Sequence, residues 1–240
     1  ISAVYEPVKC NTFITECTFG LPAFKWREQQ LVMDDINLWC AQNHADQKTS
    51  VIFAYSLGKA QRVIKHLDTS QMKIYCHGAV FKMTEVLRQQ IDFPTTHLIT
   101  RETTKEEIAG NIVIAPPGAH GTTWMRKMVP YVTASASGWM TFRGARRRKA
   151  IDKGFVLSDH CDWDGLLQSI EATGCENVIT THGYQEIFAR FLREEKGLNA
   201  ISEKTQYEGE VLDDKESEEP KVENENIELS ISDSNSKKAL

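Results

Sequence analysis

Three side chains that can do acid–base or metal chemistry occupy equivalent places in the 240-residue sequence: Glu16, His160 and His182. Each follows a short run of apolar or β-branched residues, which predicts a buried strand, and each precedes a turn. Ligands of open α/β sheets gather in the crevice outside the carboxyl ends of the strands. A carboxylate and two imidazoles at that edge suit a catalytic or metal site, although a histidine there can equally be a structural hydrogen-bonding residue. Asp162 is expected to cap the helix that begins near Trp163.

The elements that would position these side chains alternate between strand and helix patterns. The predicted strands lie at residues 12–15, 50–54, 73–76, 96–100, 111–115, 129–134, 154–158 and 177–181. Between them, four sets of apolar residues recur at helical spacing: Val32, Ile36, Trp39 and Cys40; Val80, Met83 and Leu87; Leu166, Leu167 and Ile170; and Ile187, Phe188, Phe191 and Leu192. This alternation favours an α/β fold with largely parallel sheets that are covered on both faces.

The net charge of −5 comes from one end of the chain. Residues 212–240 carry nine acidic and four basic residues, which leaves 24 of each sign in the rest of the sequence. Because this segment has too few apolar residues to form a core, we expect it to be a disordered acidic tail. The global charge therefore gives no information about nucleic acid, and only local clusters of charge can.

Other features of the composition restrict the compartment. The six cysteines include no CxxC pair, so free thiols in a reducing compartment are expected and a zinc ribbon is not. No apolar run approaches the roughly 20 residues that cross a membrane, and residues 1–9 show no signal-peptide pattern. The sequence predicts a soluble protein without membrane association, located in the cytoplasm or, in a eukaryote, the nucleus.

Motifs around the three candidate residues resemble those of a known enzyme family. Glu-Cys-Thr-Phe-Gly at 16–20 is similar to the Glu-Ser-Thr-Tyr/Phe-Gly element that opens the β-CASP region of metallo-β-lactamase-fold nucleases. Ser-Asp-His-Cys-Asp at 158–162 resembles motif B of that family, and the strand that ends in His182 and Gly183 resembles motif C. Four further segments, at 18–22, 53–61, 115–118 and 137–140, resemble the subgroup of ligase-associated DNA exonucleases. This subgroup is also described as similar to messenger-RNA 3′-end processing factors.

The resemblance implies how the chain is divided. Residues 1–20 and 150–211 would belong to a metallo-β-lactamase αββα fold, and residues 212–240 would be the tail. Residues 21–149 would form an inserted, Rossmann-like β-CASP domain that covers the metal cleft.

The resemblance also implies a role for each candidate residue. Glu16 would orient His160, and His160 would act as the general acid toward the leaving oxygen of a phosphodiester. His182 would be a ligand of one of two zinc ions, which in this family activate a water molecule for in-line attack. The implied reaction is exonucleolytic hydrolysis of DNA or RNA, in DNA repair or RNA processing.

The His-x-His-x-Asp-His motif that supplies most metal ligands in this family is absent from the 240 residues. With a single remaining ligand at His182, a dinuclear zinc site cannot form. We therefore expect this polypeptide to be inactive alone, and to be part of a longer nuclease or to act with a partner that supplies the missing ligands.

A basic cluster is the candidate nucleic-acid-binding surface, and it consists of Arg143, Arg146, Arg147, Arg148 and Lys149. These residues would contact phosphates, or would form a solvated basic turn. The implied partners are DNA or RNA and an ATP-dependent DNA ligase. The name of the subgroup slightly favours DNA, whereas a motif C histidine is typical of RNA-processing members.

Two other functions stay open. The chain could be a non-catalytic nucleic-acid-binding module that uses the basic cluster. It could also be a nucleotide-binding α/β domain centred on Gly58 and Lys59, because Ser-Leu-Gly-Lys at 56–59 follows a predicted strand and resembles a phosphate-binding turn. The full GxxxxGK[ST] pattern is missing.

Overall fold

The structure, a computed structural model, describes residues 5–204. The expected acidic tail at 212–240 lies outside these residues, as do residues 1–4 and 205–211 of the predicted lactamase segments. Within the described range, no helix is both long and apolar enough to span a membrane.

Strands and helices alternate along the described chain. The strands are β1 Thr12–Cys17, β2 Thr49–Phe53, β3 Ile74–Cys76, β4 Thr96–Leu98, β5 Ile112–Ala115, β6 Tyr131–Ala136, β7 Lys153–Phe155, β8 Asn177–Gly183 and β9 Asn199–Ser202. The helices are α1 Gln29–Ala45, α2 Lys59–Lys65, α3 Gly78–Leu87, α4 Lys105–Ile108, α5 Arg143–Arg148, α6 Trp163–Thr173 and α7 Gln185–Lys196. Short 3₁₀ helices occupy Pro117–Ala119, Thr123–Met128 and Gly138–Thr141.

Six strands form one parallel sheet in the order β4-β3-β5-β2-β6-β7. Successive side chains of a strand point to opposite faces, and Ile52 packs into the core beneath α1, α2 and α3. Its neighbours Val51 and Phe53 pack into a second core with Ile108 of α4 and Met125. Both faces of this sheet are therefore covered, as the continuous apolar strands predict.

The remaining strands form a three-stranded parallel sheet in the order β1-β8-β9. Helices α6 and α7 cover one face and bury Phe188 and Leu192 there. On the other face, Ile14, Ile179 and Ile201 lie side by side in the strand register, and 65% of Ile14 and 46% of Ile201 is exposed. The expectation that both faces of each sheet are covered is thus wrong for this sheet within residues 5–204.

The α/β architecture with parallel sheets is confirmed, and the six-stranded sheet is Rossmann-like. All eight predicted strands are present, whereas β9 is not among them. The strand expected at 129–134 begins at Tyr131, because Pro130 has no N–H with which to join the ladder. The predicted faces of α1 and α6 pack into the cores. In α3 only Val80 is fully buried, with Met83 and Leu87 partly buried, and Ile187 of α7 is 50% exposed.

Gly183 ends β8 in a place that admits no side chain. Its φ is +67°, and a Cβ atom built on it would lie 2.4 Å from Cα of Thr18 and 2.7 Å from the carbonyl oxygen of Cys17. The strand register pairs Gly183 with Cys17. The glycine of the His-Gly pair therefore allows β1 and β8 to stay in contact at the end where Glu16 and His182 lie.

Gly183→Ala should destabilise the protein by more than the cost of its left-handed backbone. Gly197→Ala is the matched control, because Gly197 has a φ of +66° and no atom within 4 Å of an added Cβ. We expect a loss of about 1–2 kcal/mol for Gly197→Ala, and a loss larger by about 2 kcal/mol for Gly183→Ala, from the added steric clash. Urea unfolding of both variants measures this difference, and equal losses would contradict the close-approach argument.

Candidate active site

The carboxyl ends of the two sheets meet around Glu16, His160 and His182. In the parallel pairing of β1 with β8, Glu16 lies opposite Thr181, so His182 is the next residue along the neighbouring strand. His160 arrives from the six-stranded sheet, in the loop between β7 and α6. The structure thus brings Glu16 and His160 into contact and places the backbone of His182 beside Glu16 on the neighbouring strand.

Glu16 and His160 form a carboxylate–imidazole pair. Nδ1 of His160 lies 3.2 Å from Oε1 of Glu16. The other carboxylate oxygen, Oε2, accepts hydrogen bonds from the backbone N–H of Thr18 at 2.8 Å and from its hydroxyl at 2.6 Å. Thr18 therefore fixes one carboxylate oxygen and leaves the other to hold the imidazole.

The two groups of the pair shift each other's pKa in opposite directions. Burial raises the pKa of Glu16, but hydrogen bonds from His160 and Thr18 outweigh it and lower this pKa from 4.5 to about 2. The hydrogen bond that His160 donates to Glu16 raises the pKa of His160 above its ordinary 6.5, against a smaller opposing effect of burial. The pair therefore favours the protonated form of the imidazole, which is the form that a general acid requires.

Trp26 holds the loop of His160 from one side. Its indole Nε1–H donates to the carbonyl oxygen of His160 at 3.0 Å, and its backbone N–H donates to Oδ2 of Asp162 at 2.9 Å. Oδ1 of Asp162 accepts from the N–H of Gly165 at 2.8 Å, so the expected cap of α6 is confirmed. Because Asp162 is fixed at the start of a helix, Trp26 ties His160 to a rigid element.

Arg62 and Lys59 of α2 hold the same loop from the other side. Nη1 of Arg62 donates to the carbonyl oxygen of Ser158 at 2.6 Å and lies 3.5 Å from Oδ1 of Asp159. The ammonium of Lys59 lies 3.9 Å from Oδ2 of Asp159 and 4.6 Å from the centre of the Tyr55 ring. Only 4% of the Lys59 side chain is exposed, so the turn that resembles a phosphate-binding loop directs its lysine inward.

An aromatic layer joins the two sheets beneath the pair. The ring of Phe19 lies at its centre, 4.8 Å from Phe24, 5.0 Å from Trp26, 5.0 Å from Trp139 and 5.8 Å from His160, measured between ring centroids. Most of these contacts are edge-to-face, which is a favourable arrangement of aromatic rings. Segments from both predicted domains therefore share one core directly below His160.

His182 is exposed and has a left-handed backbone, with a φ of +54°. Its Nδ1 lies 3.3 Å from the Thr181 hydroxyl, and its carbonyl oxygen accepts from the thiol of Cys17 at 3.0 Å. Left-handed backbone at a residue other than glycine is costly and often marks a functional position. The backbone places His182 at the carboxyl end of β8, beside the end of β1.

The described residues do not by themselves fit a zinc centre. In residues 5–204, no group of three or more His, Cys, Asp or Glu side chains is placed to hold a metal ion. A dinuclear zinc site needs several such ligands, and His182 alone does not supply them. The role of His182 as a zinc ligand stays a prediction.

The basic cluster forms a helix and not a turn. Helix α5 spans Arg143–Arg148, and Lys149 follows it as the C-terminal cap. Arg143, Arg147 and Arg148 are exposed, and in the described part of the chain none of them has a carboxylate within ion-pair distance. The ring of Phe142, just before the helix, lies 5.2 Å from Phe24 in the aromatic layer. The basic helix is therefore adjacent to the layer that supports His160.

Sequence reasoning did not find Thr18, Trp26 and Arg62 as parts of the site. Thr18 lies within the motif at 16–20, and a hydroxyl two residues after an acid is a signal for a local hydrogen bond. Trp26 and Arg62 bind backbone carbonyl groups of distant residues. No sequence pattern predicts hydrogen bonds of this kind, between a side chain and a distant backbone carbonyl group.

Comparison with known proteins finds a relative that is much longer than this chain. No family model matches the chain. A protein named probable DNA ligase from Opitutus terrae (strain DSM 11246 / JCM 15787 / PB90-1) is 37% identical over 198 residues, which are 81% of this chain and 19% of that protein. A solved protein of unknown function from Enterococcus faecalis V583 aligns with a TM-score of 0.48 and 11% identity, over 82% of this chain and 50% of its own. The chain thus spans about a fifth of its curated relative.

Glu16→Gln should lower the pKa of His160 toward 6.5, because the amide cannot hold the imidazolium by charge. An NMR titration of the His160 ring measures the change, and Glu171→Gln on the exposed side of α6 is the control. An unchanged His160 pKa in Glu16→Gln would show that the pair is not formed in solution.

The same substitution should reduce stability in a defined pH window. The lowered pKa of Glu16 gives stability that is complete above 4.5 and lost as the pH falls through about 2. The raised pKa of His160 gives stability that is complete below 6.5 and lost as the pH rises through the raised value. Glu16→Gln should therefore be most destabilising between pH 4.5 and 6.5, measured by denaturant unfolding across pH.

Trp26→Phe should disturb His160 more than Trp139→Phe does. Both indoles contact Phe19 with ring centroids 5.0 Å apart, but only the Trp26 indole donates to the His160 carbonyl in the described structure. Phenylalanine keeps the ring contact and removes the donor, which costs about 1 kcal/mol or more. We expect altered ¹⁵N shifts of the His160 ring in Trp26→Phe alone, and equal effects of both variants would contradict the assignment.

Proposed function

We propose that this chain supplies the general acid and part of the substrate-binding surface of a nucleic-acid phosphodiesterase, of the ligase-associated exonuclease type. The observation that carries the proposal is the Glu16–His160 pair, whose Nδ1–Oε1 distance is 3.2 Å. The pair lies where the carboxyl ends of two parallel sheets meet, which is the usual place for ligands of such sheets.

The chemistry assigned to the pair is donation of one proton. Glu16 binds Nδ1 of His160, which leaves Nε2 of the protonated ring to face a substrate. As the bond between phosphorus and the leaving oxygen breaks, the Nε2 proton moves to that oxygen, and His160 becomes neutral. The side chain of His160 is 47% exposed, so a phosphodiester can reach it. General acids of this kind contribute about 10²–10⁴-fold to a rate.

The finer assignments rest on the resemblance. We propose that residues 21–149 are a β-CASP domain and that residues 1–20 and 150–211 belong to a metallo-β-lactamase fold. His182 would be one zinc ligand, and the others would come from outside the described residues. The nucleophile is not supplied by the Glu16–His160 pair.

DNA is the proposed substrate in preference to RNA. The relative that is 37% identical is named a probable DNA ligase, and this chain matches 19% of it. A nuclease segment joined to a ligase, or acting with one, would process the ends that the ligase seals. This supports the expected association with an ATP-dependent DNA ligase.

A non-catalytic DNA-binding module is the second candidate. It is favoured by the exposed arginines of α5, which are Arg143, Arg147 and Arg148. The nucleotide-binding alternative has lost its main support, because Lys59 is buried against Asp159 and Tyr55.

His160→Asn in the longest natural protein that carries this sequence should reduce phosphodiester hydrolysis by about 10²–10⁴-fold, with little change in DNA binding. His97→Asn in β4, at the far edge of the six-stranded sheet, is the matched control. Activity of the unsubstituted protein should fall as the pH rises through the raised pKa of His160, since the acid then lacks its proton. Hydrolysis that survives His160→Asn would overturn the role of His160 as general acid. Absence of hydrolysis when divalent metal ions are supplied would favour the binding module.

A further inference from the structure

Phe142 is an apolar ring directly before α5, the most basic helix within residues 5–204. It is 38% exposed, although one side of it packs edge-to-face on Phe24 at a centroid distance of 5.2 Å. Arg143 follows immediately and begins α5. Phe24 therefore holds one side of the ring, and the exposed part of the ring is open to solvent next to a positive charge.

The arginines of α5 concentrate their charge near that ring. A Cβ atom built on Gly144 would lie 3.5 Å from Nη1 of Arg148, so the guanidinium of Arg148 reaches back along the helix toward its first turn. Arg143 and Arg147 are exposed, and the described structure gives neither of them a carboxylate partner. Unneutralised guanidinium groups beside an open aromatic ring form the combination that binds single-stranded nucleic acid.

The aromatic layer connects this surface with the proposed general acid. Phe142 contacts Phe24, Phe24 contacts Phe19 at 4.8 Å, and Phe19 contacts His160 at 5.8 Å. Three ring contacts thus separate the open ring from the imidazole. A strand bound at α5 would lie within a few nucleotides of His160.

We propose that Phe142 forms, with Arg143, Arg147 and Arg148, a subsite for a short unpaired stretch of a single-stranded nucleic acid. A base would stack on Phe142, and the neighbouring phosphates would bind the arginines. This inference rests on the proposed function and names its substrate class. A base offers its face to a protein ring only when it is unpaired and unstacked, whereas a duplex keeps its bases inside. The substrate is therefore a single strand or a frayed end.

The experiment compares three ligands of equal length: a single-stranded DNA, an abasic deoxyribose-phosphate strand and a DNA duplex. Fluorescence anisotropy with the full chain at two salt concentrations measures each affinity. We expect the single strand to bind about tenfold more tightly than the abasic strand, because one stacked base contributes on this scale.

The variants separate stacking from charge. Phe142→Leu keeps an apolar contact with Phe24 and should remove the preference for the strand with bases, while leaving the abasic affinity unchanged. Phe142→Trp should keep the preference. Arg147→Gln with Arg148→Gln should weaken both single strands and reduce the salt slope by about two. Tyr131→Leu is the matched control, since Tyr131 is 36% exposed at the amino end of β6, whereas Phe142 follows the carboxyl end of that strand, and it should change nothing.

The result that overturns the subsite is a base preference that survives in Phe142→Leu, or a loss that is equal for single strand, abasic strand and duplex. Thermal unfolding of Phe142→Leu checks that the variant is folded, and Phe142→Trp carries the test if it is not. If only the subsite is wrong, hydrolysis still depends on His160. If the proposed function is wrong, His160→Asn does not change hydrolysis. The two outcomes are therefore distinguishable.

Discussion

The parallel pairing of β1 with β8 brings together parts of the chain that lie 165 residues apart, as in the hydrogen bond from the Cys17 thiol to the His182 carbonyl. The whole six-stranded sheet is inserted between these strands. Closing so long a loop is entropically costly, and the pairing is held by the continuous register from Thr12 to Glu16 and by the buried face on α6 and α7. Without this pairing, Glu16 and His182 would have no common edge.

The site also needs the second sheet, because His160 is delivered by the strand β7 of the six-stranded sheet. Its loop is bound at the Ser158 carbonyl by Arg62 and at the His160 carbonyl by Trp26. Both contacts are to backbone oxygen, so they fix the path of the chain and leave the imidazole to meet Glu16. The carboxylate in turn is half-buried, and hydrogen bonds must offset the cost of burying its charge.

An element could be predicted from the sequence where its own residues determine its conformation. The strands were predictable because β-branched and apolar residues run together, as in Ile112–Ala115. β9 was not, because Asn199 and Ser202 leave Ile201 as its one β-branched residue. Ser56-Leu57-Gly58-Lys59 has the same letters whether the lysine faces a phosphate or, as here, lies buried against Asp159. Local sequence cannot distinguish these outcomes.

The candidate residues themselves were predictable because strand ends are recognisable and because Glu and His have distinctive chemistry. Their partners were not, since a carbonyl oxygen is present at every residue and any donor can reach it through tertiary packing. The resemblance added roles that spacing alone left open, and the structure bears on them only where it shows the Glu16–His160 contact.

The two restraints on the His160 loop come from different sides, and this has a mechanical consequence. Trp26 lies in the segment that leaves the three-stranded sheet, and Arg62 lies on α2, which packs on the six-stranded sheet. Any displacement that separates Trp26 from Arg62 would lengthen the Trp26–His160 contact or the Arg62–Ser158 contact. The loop then no longer holds Nδ1 of His160 against Glu16. The protonation of His160 is thereby coupled to how the two sheets are seated on their shared aromatic layer.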